Sequence, residues 1–130
     1  MNRDGLYMMR KSIREREQLR EMVAELENAR ISPRAAAYGG ERVQSSPKGD
    51  IQPDVIQRID DLLQRYNAKL RESLEAVAEF ERAAECLSEQ EREILRMYFI
   101  QGRTWEEICV GKHISWGRVM KIRRDALDIL

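Results

Sequence analysis

The chain has 130 residues, about one ordinary domain, and its 23 basic and 23 acidic side chains cancel, so any polyanionic partner has to be met by a local patch. Aromatic residues make up only 6% and charged residues 35%, a balance that favours helices packed through Leu, Ile, Val and Met over a sheet sandwich. Cys86 and Cys109 lie far apart and "MNRDGLYMMR" is no basic-then-apolar leader, so a soluble protein of the reducing cytoplasm is expected, with neither a disulfide framework nor the roughly 18-residue apolar run of a membrane span.

Residues 1–31 are charged and free of Pro, with Leu6, Met9 and Ile13, then Leu19, Met22, Val23 and Leu26 at helical spacing; an amphipathic helix is expected. Between the two apolar groups "REREQ" leaves the stripe thin and solvated, although Lys11 with Glu15 and Glu17 with Arg20 can support the helix. Composition then changes. "SPRAAAYGGERVQSSPKGD" holds Pro33 and Pro47, three glycines and three serines without periodicity, so residues 32–52 are expected to be a flexible linker.

Pro53 suits a first helical position, and Val55, Ile59, Leu62, Tyr66, Leu70, Val77, Phe80, Ala84 and Leu87 follow in steps of mostly three or four. The pattern predicts one long helix over about 53–87, roughly 50 Å at 1.5 Å per residue. Its stripe is too long for the small C-terminal segment to cover. The N-terminal helix folded back antiparallel, and the same helix of a second chain, are the two covers expected, giving a homodimer or higher homo-oligomer.

After Leu87 the helix starts are explicit. "SEQE" (88–91) and "TWEE" (104–107) both carry the capping-box pattern, and Gly102 is placed to end the first of the helices so defined, about Glu89 to Gln101. A second helix is expected from Trp105 to about Gly111, and Ser115 caps a third that carries Val119, Ile122, Ala126, Leu127 and Leu130. With Ile108 and Ile114 joining Val119 and Ile122 in a shared core, the spacing is that of a helix-turn-helix. The expected fold is therefore all-α: a long helical hairpin or coiled-coil-like N-terminal part, followed at 88–130 by the helix-turn-helix.

The third of these helices breaks a rule that the rest of the chain obeys. Acids favour helix N-termini, and Asp54, Glu89, Glu91, Glu106 and Glu107 stand where the positive end of the dipole wants them. "SWGRVMKIRR" instead has Arg118, Lys121, Arg123 and Arg124 and no acid before Asp125. Local stability is conceded where a polyanion would restore it, which suits a recognition helix in the major groove of double-stranded DNA.

The stretch 87–130 resembles the C-terminal promoter-reading domain, region 4, of sigma factors. It has "TWEEI", then "IS", "GRVMKI" and "AL" at the same spacing without a gap. It departs from that pattern at Lys112, where the family has a core Leu, and at His113, where it usually has Gly. The resemblance implies that Ser115 caps the recognition helix, that Trp116, Gly117 and Lys121 face bases, and that Arg118 holds phosphate, with Arg123 or Arg124 as a second phosphate contact according to tilt. It also implies RNA polymerase as a further partner. The whole chain resembles small phage and prophage transcriptional regulators of the RinA/ArpU type, which implies duplex binding without catalysis or a cofactor.

Two readings of other classes compete with a regulator. One is an adaptor that docks on RNA polymerase, which the zero net charge favours slightly; the other is a small DNA-packaging, terminase-like subunit, for which ring stoichiometry would speak. Enzyme readings have little support: there is one His, no Gly-rich phosphate loop, and no catalytic residue set at a recognisable spacing. Cys109 and His113 fall four apart, but a zinc site needs four ligands, so no metal is expected.

Overall fold

The computed structural model describes residues 1–31 and 53–130; the expected linker lies outside the described residues. The described part holds five α-helices and no strand: α1 (Arg3–Ile31), α2 (Pro53–Ala83), α3 (Glu89–Leu95), α4 (Trp105–Lys112) and α5 (Trp116–Ile129). This is the all-α class expected, with the helix-turn-helix at the C-terminal end. None of these helices is long and apolar enough to cross a membrane.

The helices begin where local chemistry dictates. Asn2 Oδ1 accepts the Gly5 N–H at 2.7 Å at the head of α1, and Pro53 followed by Asp54 opens α2. Past Ala83 the chain tightens into a 3₁₀ turn, Ala84–Cys86, and Leu87 is extended. Residues Arg96–Ile100, directly after α3, are π-helical, with the Gln101 N–H donating to the Arg96 carbonyl at 2.9 Å. The periodicity of 89–101 predicts a regular α-helix there. Along this stretch Met97 joins one buried cluster and Phe99 another, with Tyr98 packed against both.

The described residues form two compact units, one of Met1–Glu15 with Lys69–Leu130 and one of Arg16–Ala68. In the first, Leu6, Met9 and Ile13 of α1 share a buried cluster with Phe80, Ala84, Leu87, Leu95, Phe99, Ala126 and Leu127. The start of α1 lies near the end of α2, and Glu15 pairs with Lys69 at 3.0 Å, so within this unit the two helices run antiparallel. Two serines, Ser12 and Ser73, are buried among these apolar positions. The Ser73 hydroxyl donates to the Leu70 carbonyl at 2.9 Å, the local back-bonding open to a helical serine.

A second cluster in the same unit is the core of the helix-turn-helix itself. Ile94, Met97, Ile108 and Val119 are buried, with Trp105, Cys109, Ile114 and Ile122 packed on them. In the other unit Ile59 and Leu62 are buried, whereas Met22, Ile56 and Leu63 are exposed. Within the "REREQ" stretch expected to be solvated, Glu15, Arg16 and Glu17 are each half-buried. The expected helix-supporting pairs are present, Lys11 with Glu15 at 3.9 Å and Arg20 with Glu17 at 3.4 Å.

Candidate nucleic-acid interface

The three C-terminal helices are fixed by their caps before any tertiary contact is counted. Ser88 and Glu91 form a complete capping box, the Ser88 hydroxyl accepting the Glu91 N–H at 3.2 Å and the Glu91 carboxylate accepting the Ser88 N–H at 3.0 Å. Thr104 Oγ1 accepts the Glu107 N–H at 3.1 Å, and Ser115 Oγ accepts the Arg118 N–H at 3.3 Å. Each cap contributes about 1 kcal/mol and sets the residue at which its helix begins. Gly102 takes the left-handed conformation (φ 74°) between α3 and α4, as its place in the sequence predicts.

The turn between α4 and α5 is made at His113, with φ 58° and ψ 43°. This left-handed conformation is the reason for a glycine at such a position, and His, among the side chains that visit the region more readily, replaces it at a cost. The turn is closed by the Ile114 N–H donating to the Cys109 carbonyl at 3.1 Å. Lys112 lies half-buried at the end of α4 and pairs with Glu93 of α3, so its charge is matched.

On α5 the side chains sort by direction. Val119, Ala126 and Leu127 are buried, Met120, Ile122 and Arg123 are half-buried, and Gly117, Arg118, Lys121 and Arg124 are exposed. Trp116, next to the cap, is 50% exposed. Arg118, Lys121 and Arg124 have no acid partner among the described residues, although the chain pairs Lys11, Arg20, Lys69, Arg96 and Lys112 elsewhere. A space for a larger side chain exists at Gly117: a Cβ there would meet nothing within 4 Å. The open face of α5 thus combines an aromatic ring, a glycine and three free cations.

Arg123 is held differently. Its Nη2 donates to the Tyr7 hydroxyl of α1 at 3.1 Å and its guanidinium lies 5.4 Å from the Trp105 ring. Trp105 stacks on Tyr98 with ring centroids 4.0 Å apart, and Arg10 of α1 covers Tyr98 at 4.1 Å while donating from Nε to the Tyr98 carbonyl at 3.1 Å. Tyr7 meets Phe99 edge to face at 5.1 Å. The first turns of α1 are therefore fastened to α5 and to the π stretch by one cation–aromatic contact, Arg10 on Tyr98, by two hydrogen bonds, and by the edge-to-face contacts of Tyr7 with Tyr98 and Phe99. None of Tyr7, Arg10 or Tyr98 stands out in the sequence as part of this face, because their partners lie nearly the whole chain away.

One more ion pair positions the helix-turn-helix. Arg96 donates from Nε to Glu81 Oε1 at 2.8 Å and from Nη2 to Oε2, a bidentate bond between α2 and the π stretch. Hydrogen bonding from Arg96 holds the Glu81 carboxyl below its ordinary range, partial burial opposes this, and the charges of Arg96 and Arg92 add to the lowering. Among the described residues no group of three His, Cys, Asp or Glu side chains is placed to hold a metal; Cys109 packs on the helix-turn-helix core and His113 is exposed in the turn.

Residues 83–130 match the model of the family Sigma-70, region 4, a stretch that takes in α3, the π stretch, α4 and α5. No curated protein and no solved structure matches the chain.

Proposed function

We propose that this protein is a transcriptional regulator of the phage or prophage type that reads double-stranded DNA with α5 of its sigma-70 region 4 helix-turn-helix. The observation that carries the reading is the open face of α5, where Trp116, Gly117, Arg118, Lys121 and Arg124 stand free of acid partners behind a formed Ser115 cap. A helix-turn-helix places the N-terminal residues of its second helix against base edges. Trp116, Gly117 and Lys121 are assigned to the bases and Arg118 to a phosphate. Of the two later arginines, Arg124 is the freer to take a second phosphate, since Arg123 already serves Tyr7. Ser115 acts as the cap that orients these residues.

Lys121→Ala is expected to weaken binding to a preferred duplex, selected from a random pool, by about 1–3 kcal/mol and to relax its sequence preference. Arg118→Ala is expected to weaken all duplexes alike and to flatten the salt dependence by about one unit, because one counterion fewer is released. If the wild-type protein selects no duplex at low salt, an adaptor that docks on RNA polymerase is the better reading. The order of parts, a charged helix, the 32–52 stretch, a long helix and a region 4 end, supports the regulator of RinA/ArpU type.

The protein is further proposed to act as a homodimer, on the ground that Met22, Ile56 and Leu63 leave apolar surface open in the Arg16–Ala68 unit. Light scattering at micromolar concentration is expected to give twice the chain mass. A ring-sized mass would favour a DNA-packaging subunit, and a monomer would remove the dimer.

A further inference from the structure

The face of α1 that carries Arg3, Tyr7, Arg10 and Arg14 has no task in the reading above. These four residues fall at i, i+4, i+7 and i+11, so they line one side of the helix. The two acids of this stretch, Asp4 and Glu15, lie about a quarter to a third of a turn away from it, and Glu15 is turned to Lys69. Glu17, three positions past Arg14 on the same face, pairs with Arg16 at 3.3 Å and Arg20 at 3.4 Å, so from Arg3 to Arg14 the stripe carries one sign. Arg3 and Arg14 are exposed and have no acid partner among the described residues.

Two properties separate this stripe from an ordinary solvated face. It is rigidly mounted, because Leu6, Met9 and Ile13 beside it are buried in the core shared with α5. It is also continuous with the proposed duplex-reading surface: the Tyr7 hydroxyl in its middle accepts from Arg123 of α5, and Arg10 lies on the Tyr98 ring that stacks on Trp105. From Arg3 to Arg14 the helix rises roughly 17 Å, about five nucleotide steps at 3.4 Å per step along one strand.

We infer that the Arg3–Arg14 face of α1 is a second phosphate-binding surface, which extends the contact made by α5 onto the DNA backbone that flanks the recognised site. The inference rests on the duplex-binding reading of α5. Its contact is electrostatic and independent of sequence, with Arg3 and Arg14 on phosphates and Tyr7 and Arg10 holding the helix in place.

The test compares the full chain with the double variant Arg3→Gln, Arg14→Gln on two duplexes: the shortest selected site that α5 still binds specifically, and the same site with ten base pairs added on either side. The wild type is expected to bind the longer duplex about tenfold more tightly at 50 mM salt and to lose that gain by 200 mM, as release of two counterions requires. The double variant is expected to lose the gain, to flatten the salt slope on the long duplex by about two units, and to keep the wild-type base preference. Arg3→Lys, Arg14→Lys is expected to restore the slope. Tryptophan fluorescence melting checks that each variant is folded. Wild-type affinity and slope in the glutamine variant would overturn the inference alone, leaving the reading of α5 intact if Lys121→Ala still relaxes base preference. A wild type that binds neither duplex would overturn both.

Discussion

Leu6→Ala tests whether the beginning of the chain belongs to the same folding unit as the helix-turn-helix. Leu6 is 0% exposed and sits among Phe80, Leu95, Phe99, Ala126 and Leu127, side chains from α2, α3, the π stretch and α5. Removing its isobutyl group loses the transfer free energy and leaves a cavity between rigid helices, about 3 kcal/mol within the usual range of 2–5. That is a large part of the roughly 5–15 kcal/mol that holds a small domain together. The assay is favoured by composition: the two tryptophans, Trp105 and Trp116, both lie in the helix-turn-helix, so their fluorescence reports its unfolding and not that of α1. With a urea slope of about 1–3 kcal/mol/M, the midpoint should fall by about 1–3 M. Asn67→Ala, at an exposed position of α2 in the other unit, should change stability by less than about 0.5 kcal/mol. An unshifted tryptophan transition in Leu6→Ala would refute the packing of α1 on the C-terminal helices.

His113→Gly is expected to stabilise the same transition by about 0.5–1 kcal/mol, since relief of the left-handed conformation at φ 58° exceeds the extra chain entropy of glycine; destabilisation would mean that the His side chain holds the turn. Glu81→Gln should cost less than about 1 kcal/mol at neutral pH, because both partners of the Arg96 pair are 39% exposed and water screens them. Because the folded-state pKa of Glu81 is lowered, its contribution is present above the unfolded carboxyl pKa and is lost as pH falls through the folded value. The difference between wild type and variant in urea midpoint should therefore shrink as pH falls below the ordinary carboxyl range, and a difference that grew on acidification would contradict the pairing. A peptide of residues 83–130 alone should show no cooperative tryptophan transition, because Leu95, Phe99, Ala126 and Leu127 would lose the cover given by Leu6, Met9 and Phe80; a sigmoidal melt would show that the matched segment folds without the long helices.

What was legible in the sequence is what neighbouring residues decide. Ser88, Thr104 and Ser115 announce three helix starts because a cap is a contact over three positions, and all three caps are formed. Gly102 and the shared core of Ile108, Ile114, Val119 and Ile122 are legible for the same reason. The π stretch was not, since one extra residue in a helical turn leaves the apolar spacing of 94–99 compatible with a regular helix. The burial of Ser12 and Ser73 is not legible in the sequence, because a buried serine breaks an apolar pattern that it nevertheless continues. The bond between Tyr7 and Arg123 spans 116 positions, and no local signal connects them.

The π stretch and the aromatic stack also explain how a helix as exposed as α5 is kept in place. Val119 faces the core of the helix-turn-helix, whereas Ala126 and Leu127, two turns later, face the core shared with α1 and α2. The chain before it divides in the same way, Met97 going to the first core and Phe99 to the second, with Tyr98 touching both. A regular α-helix would set these three residues 100° apart, and the wider turn of the π stretch changes which neighbours they reach. The position of α5 is thereby fixed at its start by Ser115 and Val119 and near its end by Leu127, with Arg123 tied to Tyr7 between them. A shift of α1 must then move the end of α5 against its capped start, so the packing of the first fifteen residues sets the tilt at which α5 presents its cations to the phosphates proposed for them.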